Sequence, residues 1–170
     1  MMIRPATGQD IPEIAKIYTE SWKKTYRTLL PDAFLEGLTY EHAERKWMSY
    51  LRAEGQGIFL AAGGTGGVRG FSAYKPFPEL ERCLLLDSLH VRPAAQGNGT
   101  GKALIFAVGK YALEGGYRKM SICVMKGNDR AEGIYTHLGA KPRRDFTDDF
   151  EGTAVRSSLL LWDNLNAFAV

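Results

Sequence analysis

The passage from Leu84 to Leu104 constrains the fold more than any other part of the chain. The run Leu84-Leu85-Leu86-Asp87-Ser88-Leu89-His90-Val91 is strand-like, and Pro93 stops it. Gln96-Gly97-Asn98-Gly99-Thr100-Gly101 follows, after which Leu104, Ile105, Val108, Tyr111 and Ala112 recur at helical spacing as far as Gly115-Gly116. Strand, glycine loop and helix in that order belong to an α/β fold. Glycines let the backbone approach a ligand closely, and a helix N-terminus offers unpaired N–H groups and a positive dipole end, so phosphate is the natural guest. A ligand-free helix start with turn glycines is the alternative. Two nucleotide fingerprints fail: the dinucleotide pattern begun at Gly97 needs glycine at Lys102, and the P-loop needs glycine at Gln96 and a hydroxyl at Ala103.

The rest of the chain fits around this unit. Ile3 to Thr7 gives a short strand and turn, and Asp10 with Glu13 three residues on reads as a capped start for an amphipathic helix over 10–27. A short helix opens at Pro31 and stops at Gly37, and a third starts at Thr39 and carries Ala43, Trp47, Tyr50 and Leu51. Residues 58–62 and 68–74 form a hairpin across Gly63-Gly64-Thr65-Gly66-Gly67, and 82–91 is the third strand of that group. Beyond the helix over 101–114, a strand at 121–125, a helix from Asn128 to Leu138 and strands at about 142–149 and 153–162 complete the order. The expectation is one α/β domain over residues 1–170, a single mixed, mostly antiparallel sheet of about seven strands with helices on both faces.

Composition narrows the function classes. The 170 residues are 45% hydrophobic and carry 22 basic against 19 acidic side chains, so the net charge of +3 is small and its bases are dispersed among acids. Nucleic acid binding would need a clustered basic stripe. No apolar run approaches the ~20 residues that span a bilayer, so no membrane partner is expected. Cys83 and Cys123 stand far apart without a second pair, which argues against zinc or a secreted disulfide framework and reads as two reduced core thiols in a cytoplasmic protein.

Val91-x-Pro93-x-x-Gln96-Gly97-x-Gly99-x-Gly101 resembles the Gln/Arg-x-x-Gly-x-Gly/Ala signature of the GCN5-related N-acetyltransferases. Asn128-x-x-Ala131-x-x-Ile134-Tyr135-x-x-Leu138-Gly139-Ala140 is similar to that family's following motif, and it comes after the expected strand. The resemblance implies acetyl-coenzyme A as co-substrate and no metal. It implies that the amides of Gln96, Gly97, Asn98, Gly99, Thr100 and Gly101 hold the pyrophosphate, with Lys102 adding charge, and that the pantetheine arm lies beside Leu89, His90 and Val91 like an added strand. It also places Asn128 and Tyr135 against the cofactor arm. Lys102 as a solvated helix residue and Asn128 as a plain N-cap remain the structural alternatives.

The chemistry needs a base and an acid. An alkyl ammonium of pKa near 10.4 is only about one part in 2,500 free base at pH 7, a deficit of roughly 4.6 kcal/mol. The resemblance assigns Tyr135 as the acid for the thiolate, against simple packing on an apolar helix face. Many relatives place a glutamate where this chain has Leu85. Asp87 shares that face by two-residue alternation and is either the base, directly or through water, or a structural hydrogen-bonding residue. His90 points to the opposite face of a regular strand. His42 and His137 lack metal-ligand spacing, and Cys123 reads as a core residue, so the amine attacks the thioester directly in a ternary complex. Trp22, Tyr26 and Trp47 either form an aromatic wall of the acceptor site, to which Asp87 is also assigned, or belong to the core. Asp148, Asp149 and Glu151 offer an acidic mouth. The acceptor is a primary amine, small-molecule or peptide, and a homodimer is left open. The absent glutamate keeps a rival reading in play, a non-catalytic acyl-coenzyme A sensor.

Overall fold

The computed structural model describes residues 1–64, 67–150 and 152–169; Thr65, Gly66 and Glu151, named above, lie outside the described residues. Strand β1 (Met2–Pro5) leads through a 3-10 turn into α1 (Ile11–Thr25), then α2 (Asp32–Glu36) and α3 (Tyr40–Arg52). The meander β2 (Gly57–Ala62), β3 (Val68–Pro76) and β4 (Cys83–Val91) comes next. It is followed by α4 (Thr100–Glu114), β5 (Lys119–Met125), α5 (Asp129–His137) and the hairpin β6 (Lys141–Phe150) and β7 (Thr153–Trp162). The seven strands lie in the order β1-β2-β3-β4-β5-β7-β6. Every pairing is antiparallel except β4 with β5, the pair that needs α4 as its crossover.

Two apolar layers fix the helices to opposite faces of the sheet. Leu84 and Leu86 of β4, Met120 and Ile122 of β5 and Leu160 of β7 pack with Ile105, Val108 and Ala112 of α4. On the other face Ile58, Leu60, Phe71 and Ala73 pack with Ile14 and Ile17 of α1 and Ala43 and Trp47 of α3. Trp47 is 0% exposed, so of its two readings the core one holds and the aromatic wall does not include it. Phe168 of the last turn seats on α4, where a Cβ at Gly109 would come within 2.4 Å of its ring. That approach explains a glycine in mid-helix.

The α1 start differs from the sequence reading. Asp10 occupies the N-cap position, but its carboxylate makes no cap bond to α1. It accepts both Arg4 guanidinium nitrogens at 2.9 and 2.7 Å and the Thr7 amide at 2.8 Å. The Arg4 hydrogen bonds, chief among the causes, hold the Asp10 pKa down at about 2. Thr39 does cap α3, its hydroxyl accepting the His42 amide at 3.2 Å.

Candidate active site

β4 and β5 run side by side only at Cys83 to Leu85 opposite Lys119 to Ser121. Beyond that point β4 stays with β3 and β5 stays with β7, so the two strands diverge and a cleft of about 1160 Å³ opens between them. That volume exceeds a typical single small-ligand pocket and suits two reactants. The divergence begins at a bulge. Ala73 pairs with Ser88 and Tyr74 with Leu86, which leaves Asp87 as the extra residue of β4. Such an insertion bends its strand and re-aims its side chains.

The bulge corrects the expectation for His90. Two residues per face would put Asp87 and His90 on opposite sides, but the extra residue shifts the phase. His90 pairs with Phe71 on the face of α1 and α3. Its ring lies 5.5 Å from that of Tyr18 and 5.3 Å from that of Phe71, and Nδ1 is 2.8 Å from the Ser21 hydroxyl. Burial first and Lys46 second pull its pKa down to about 3, so the ring is neutral at physiological pH. Asp87 is on the same side, paired with Lys75 at 3.3 Å and close to Lys46 and the Tyr50 hydroxyl. Leu85 lines the cleft near the fork, one strand repeat before Asp87.

At the open end of β4 the glycine loop forms a cradle. Gly97 and Gly99 have φ of +78° and +75°, the left-handed conformation that only glycine adopts without strain, and a Cβ at either would meet nothing within 4 Å. The Gln96 side chain ties the loop to the strand, its amide donating to the Val91 carbonyl at 3.0 Å. The first-turn amides of α4 have no acceptor within the helix. The Thr100 hydroxyl is buried there with no hydrogen-bond partner among the described residues. Gly97, Gly99, Thr100, Gly101 and Lys102 line the cleft, whereas Asn98 is exposed and lies outside the lining. Lys102 lies over the Phe106 ring, 5.4 Å from its centroid. Leu89 and Val91 complete this wall.

On the β5 side α5 brings in Asn128 and Tyr135. Asn128 holds the N-cap position of α5 without a side-chain cap bond, and it partners the Tyr26 hydroxyl instead. Tyr135 is 6% exposed, lines the cleft and packs edge-on against Trp162. Burial, with a smaller push from Tyr26, raises its pKa well above the ordinary value, so the phenol keeps its proton at any neutral pH. Cys123 corrects the reading of two core thiols: Cys83 is buried, but Cys123 is exposed on β5 and borders the cleft. Desolvation by the cleft walls first, then nearby Asp148 and Asp87, push its pKa up to about 11, leaving it a protonated thiol.

The model of the GNAT acetyltransferase family matches residues 11–140. The chain belongs to that family. An uncharacterized N-acetyltransferase of Bacillus subtilis, YuaI, is 29% identical over 97% of this chain and 94% of its own length. The thialysine N-epsilon-acetyltransferase of Bos taurus is 33% identical over 82 residues, 44% of this chain and 46% of that one. The paia N-acetyltransferase of Thermoplasma acidophilum, solved in complex with coenzyme A, superposes with a TM-score of 0.74 at 20% identity over 92% of this chain and 96% of its own.

Beyond the glycine-loop wall lies a second lobe that no local motif announces. Trp22 stacks near Tyr26 (4.5 Å between centroids), Phe150 (5.7 Å) and Phe34 (6.2 Å), joining α1, α2 and the β6 end. Trp22 and Tyr26 therefore do face the cleft, and Tyr26 bridges to the Asn128 side. Asp148 and Asp149 line the mouth, Arg144 is bound to Glu79 at 2.7 Å, and Lys46 and His42 enter from α3. Phe34, Phe150 and Lys46 were missed by sequence reasoning. His137 is exposed on α5. No group of three His, Cys, Asp or Glu side chains among the described residues is placed to hold a metal, and no described helix is long and apolar enough to cross a membrane.

Proposed function

We propose that this GNAT chain moves the acetyl group of acetyl-coenzyme A to a primary amine by direct attack in a ternary complex. The observation that carries the reading is the single cleft with a phosphate-type cradle at one end, the unpaired edge of a strand along its wall, and a carboxylate and a phenol beside it. GNAT relatives are N-acetyltransferases, and the family's donor suits the cradle. The positive-φ glycines, the orphaned Thr100 hydroxyl and the first-turn amides fit a pyrophosphate, a multiple acceptor that the helix dipole favours. The β4 edge from Leu89 to Val91 offers backbone groups to the pantetheine arm, with Lys102 at the phosphate end and Asn128 and Tyr26 opposite.

When bound, the acetyl thioester supplies the electrophilic carbonyl. Asp87 removes the proton of the acceptor ammonium, directly or through water, and Lys75, 3.3 Å away, holds it in place. The new N–C bond forms as the C–S bond breaks; the Tyr135 hydroxyl, protonated at neutral pH, gives its proton to the departing sulfur, the second proton of the attacking nitrogen leaves through water to restore the phenol, and Asp87 returns its own proton to solvent. Cys123 takes no covalent part, because a thiol of pKa about 11 presents almost no thiolate. Trp22 and Tyr26 line the acceptor's approach.

The test is release of the coenzyme A thiol with a panel of amines, with the initial-rate pattern recorded for both substrates. Amine-dependent release with intersecting lines is expected. Tight acetyl-coenzyme A binding without release to any amine would turn the protein into an acyl-coenzyme A sensor, the reading that Leu85 at the usual glutamate position favours.

A further inference from the structure

Among the cations in and beside the cleft, Arg144, Lys75 and Lys46 differ in how the fold partners them. Arg144 is bound to Glu79 and Lys75 to Asp87. Lys46 lines the same cleft, and among the described residues its ammonium makes no ion pair. It lies over two rings, 5.5 Å from the Tyr18 centroid and 5.4 Å from that of Trp47. A surface lysine ordinarily extends into water or toward an acid, whereas this one is folded onto aromatic faces and directed along the cleft wall. α3 sets that placement. His42, Lys46 and Tyr50 follow at four-residue spacing, so they form one stripe, and its inner end, Tyr50, reaches Asp87.

This position matters because Lys46 and Asp87 feel each other. Desolvation lowers the Lys46 pKa while Asp87 acts the other way, and Lys46 in turn helps keep His90 neutral. An amine brought to Asp87 therefore arrives near an exposed ammonium held over the Tyr18 and Trp47 rings. A simple alkyl ammonium would be repelled by it. An ammonium that carries its own carboxylate would satisfy both groups, since the anion has Lys46 to bind and the cation has Asp87.

We infer that the acceptor is an amino acid type of molecule, an amine bearing a carboxylate, and that Lys46 is the residue that binds the carboxylate. This inference rests on the acetyl-transfer reading for the role of the amine, but binding tests it separately. A charge-assisted pair of this kind is worth at least about 10-fold in affinity.

The experiment uses matched pairs that differ by one carboxylate, lysine against 1,5-diaminopentane and phenylalanine against phenethylamine, titrated calorimetrically into the coenzyme A-saturated protein. In at least one pair the carboxylate member binds at least ~10-fold tighter. Lys46→Met keeps the stem packed on Tyr18 and Trp47 and erases that difference, and with the repelling charge gone the decarboxylated partner binds no more weakly than it does to the parent; Lys46→Arg retains the difference. Absence of binding by both carboxylate members, or a preference that survives Lys46→Met, overturns the inference. Thiol release followed in parallel separates the two readings. Transfer to amines without any carboxylate preference removes the Lys46 site and leaves the transferase, and Lys46-dependent binding without thiol release does the reverse.

Discussion

Replacing Gly99 with glutamate puts a side chain where the cradle is open and tests the loop without touching the core. At φ +75° an L-residue costs roughly 1–2 kcal/mol of backbone strain. No atom lies within 4 Å of the new Cβ, so no clash adds to that cost. For a chain of this size the loss lowers Tm by about 2–8 °C, well within the ~5–15 kcal/mol stability of an ordinary domain. The ligand feels far more. A carboxylate about 5 Å from a pyrophosphate carrying two charges, at an effective dielectric of ~40, is repelled by ~3 kcal/mol, about two decades in affinity. Gly99→Ala is the control: it shares the strain, lacks the charge and is expected to weaken binding by less than ~10-fold. Calorimetric titration with coenzyme A, beside a melting curve, reads both quantities. A folded Gly99→Glu variant that binds coenzyme A as the parent does would refute the cradle assignment.

Three further outcomes follow from the same geometry. Tyr135→Phe keeps the ring against Trp162 but removes the proton, so kcat is expected to fall by roughly 10² or more with coenzyme A affinity unchanged; retained turnover would return Tyr135 to packing. Asp87→Asn is expected to lower kcat/KM most at pH 6.5 and least at about pH 9.5, where the amine arrives closer to deprotonated, and a mutant-to-parent ratio flat across that range would remove Asp87 from the chemistry. His90, with a folded pKa near 3 against an unfolded value near 6.5, should show ring resonances that do not titrate between pH 8 and 4.5. Its stabilising contribution is complete above about pH 6.5 and is lost as pH falls from there toward 3, so His90→Gln should lose less stability than the parent between pH 7 and 4; a His90 that titrates near 6.5 contradicts its burial.

The strand, glycine loop and helix were legible because each is encoded locally, in an apolar run, a cluster of glycines and a helical period. The bulge at Asp87 was not. The run from Leu84 to Val91 alternates smoothly on paper, and only the pairing with Ala73 and Tyr74 reveals the inserted residue that turns His90 toward α1. Cys123 looked internal because Ile122 and Val124 flank it, yet β5 parts from β4 after Ser121 and the strand then borders a cleft. Asp10 carried the sequence pattern of a cap, but a bidentate arginine six residues earlier outcompetes a helix amide for its carboxylate. The cleft's second lobe draws on Trp22, Phe34, Lys46 and Phe150, residues from four elements, and such a gathering leaves no spacing to read.

The central claim, that the cleft joins an acetyl donor to an amine, is tested most directly by following the acetyl group itself. Acetyl-coenzyme A labelled with carbon-13 at the acetyl carbonyl is incubated with the protein and the amine it binds best, and the products are resolved by mass spectrometry and carbon NMR. The account predicts one labelled acetyl per amine, carried as an amide on nitrogen, formed in step with free coenzyme A and absent with Gly99→Glu. Label that stays on the thioester while the protein holds it tightly, or that appears on Cys123, would contradict it.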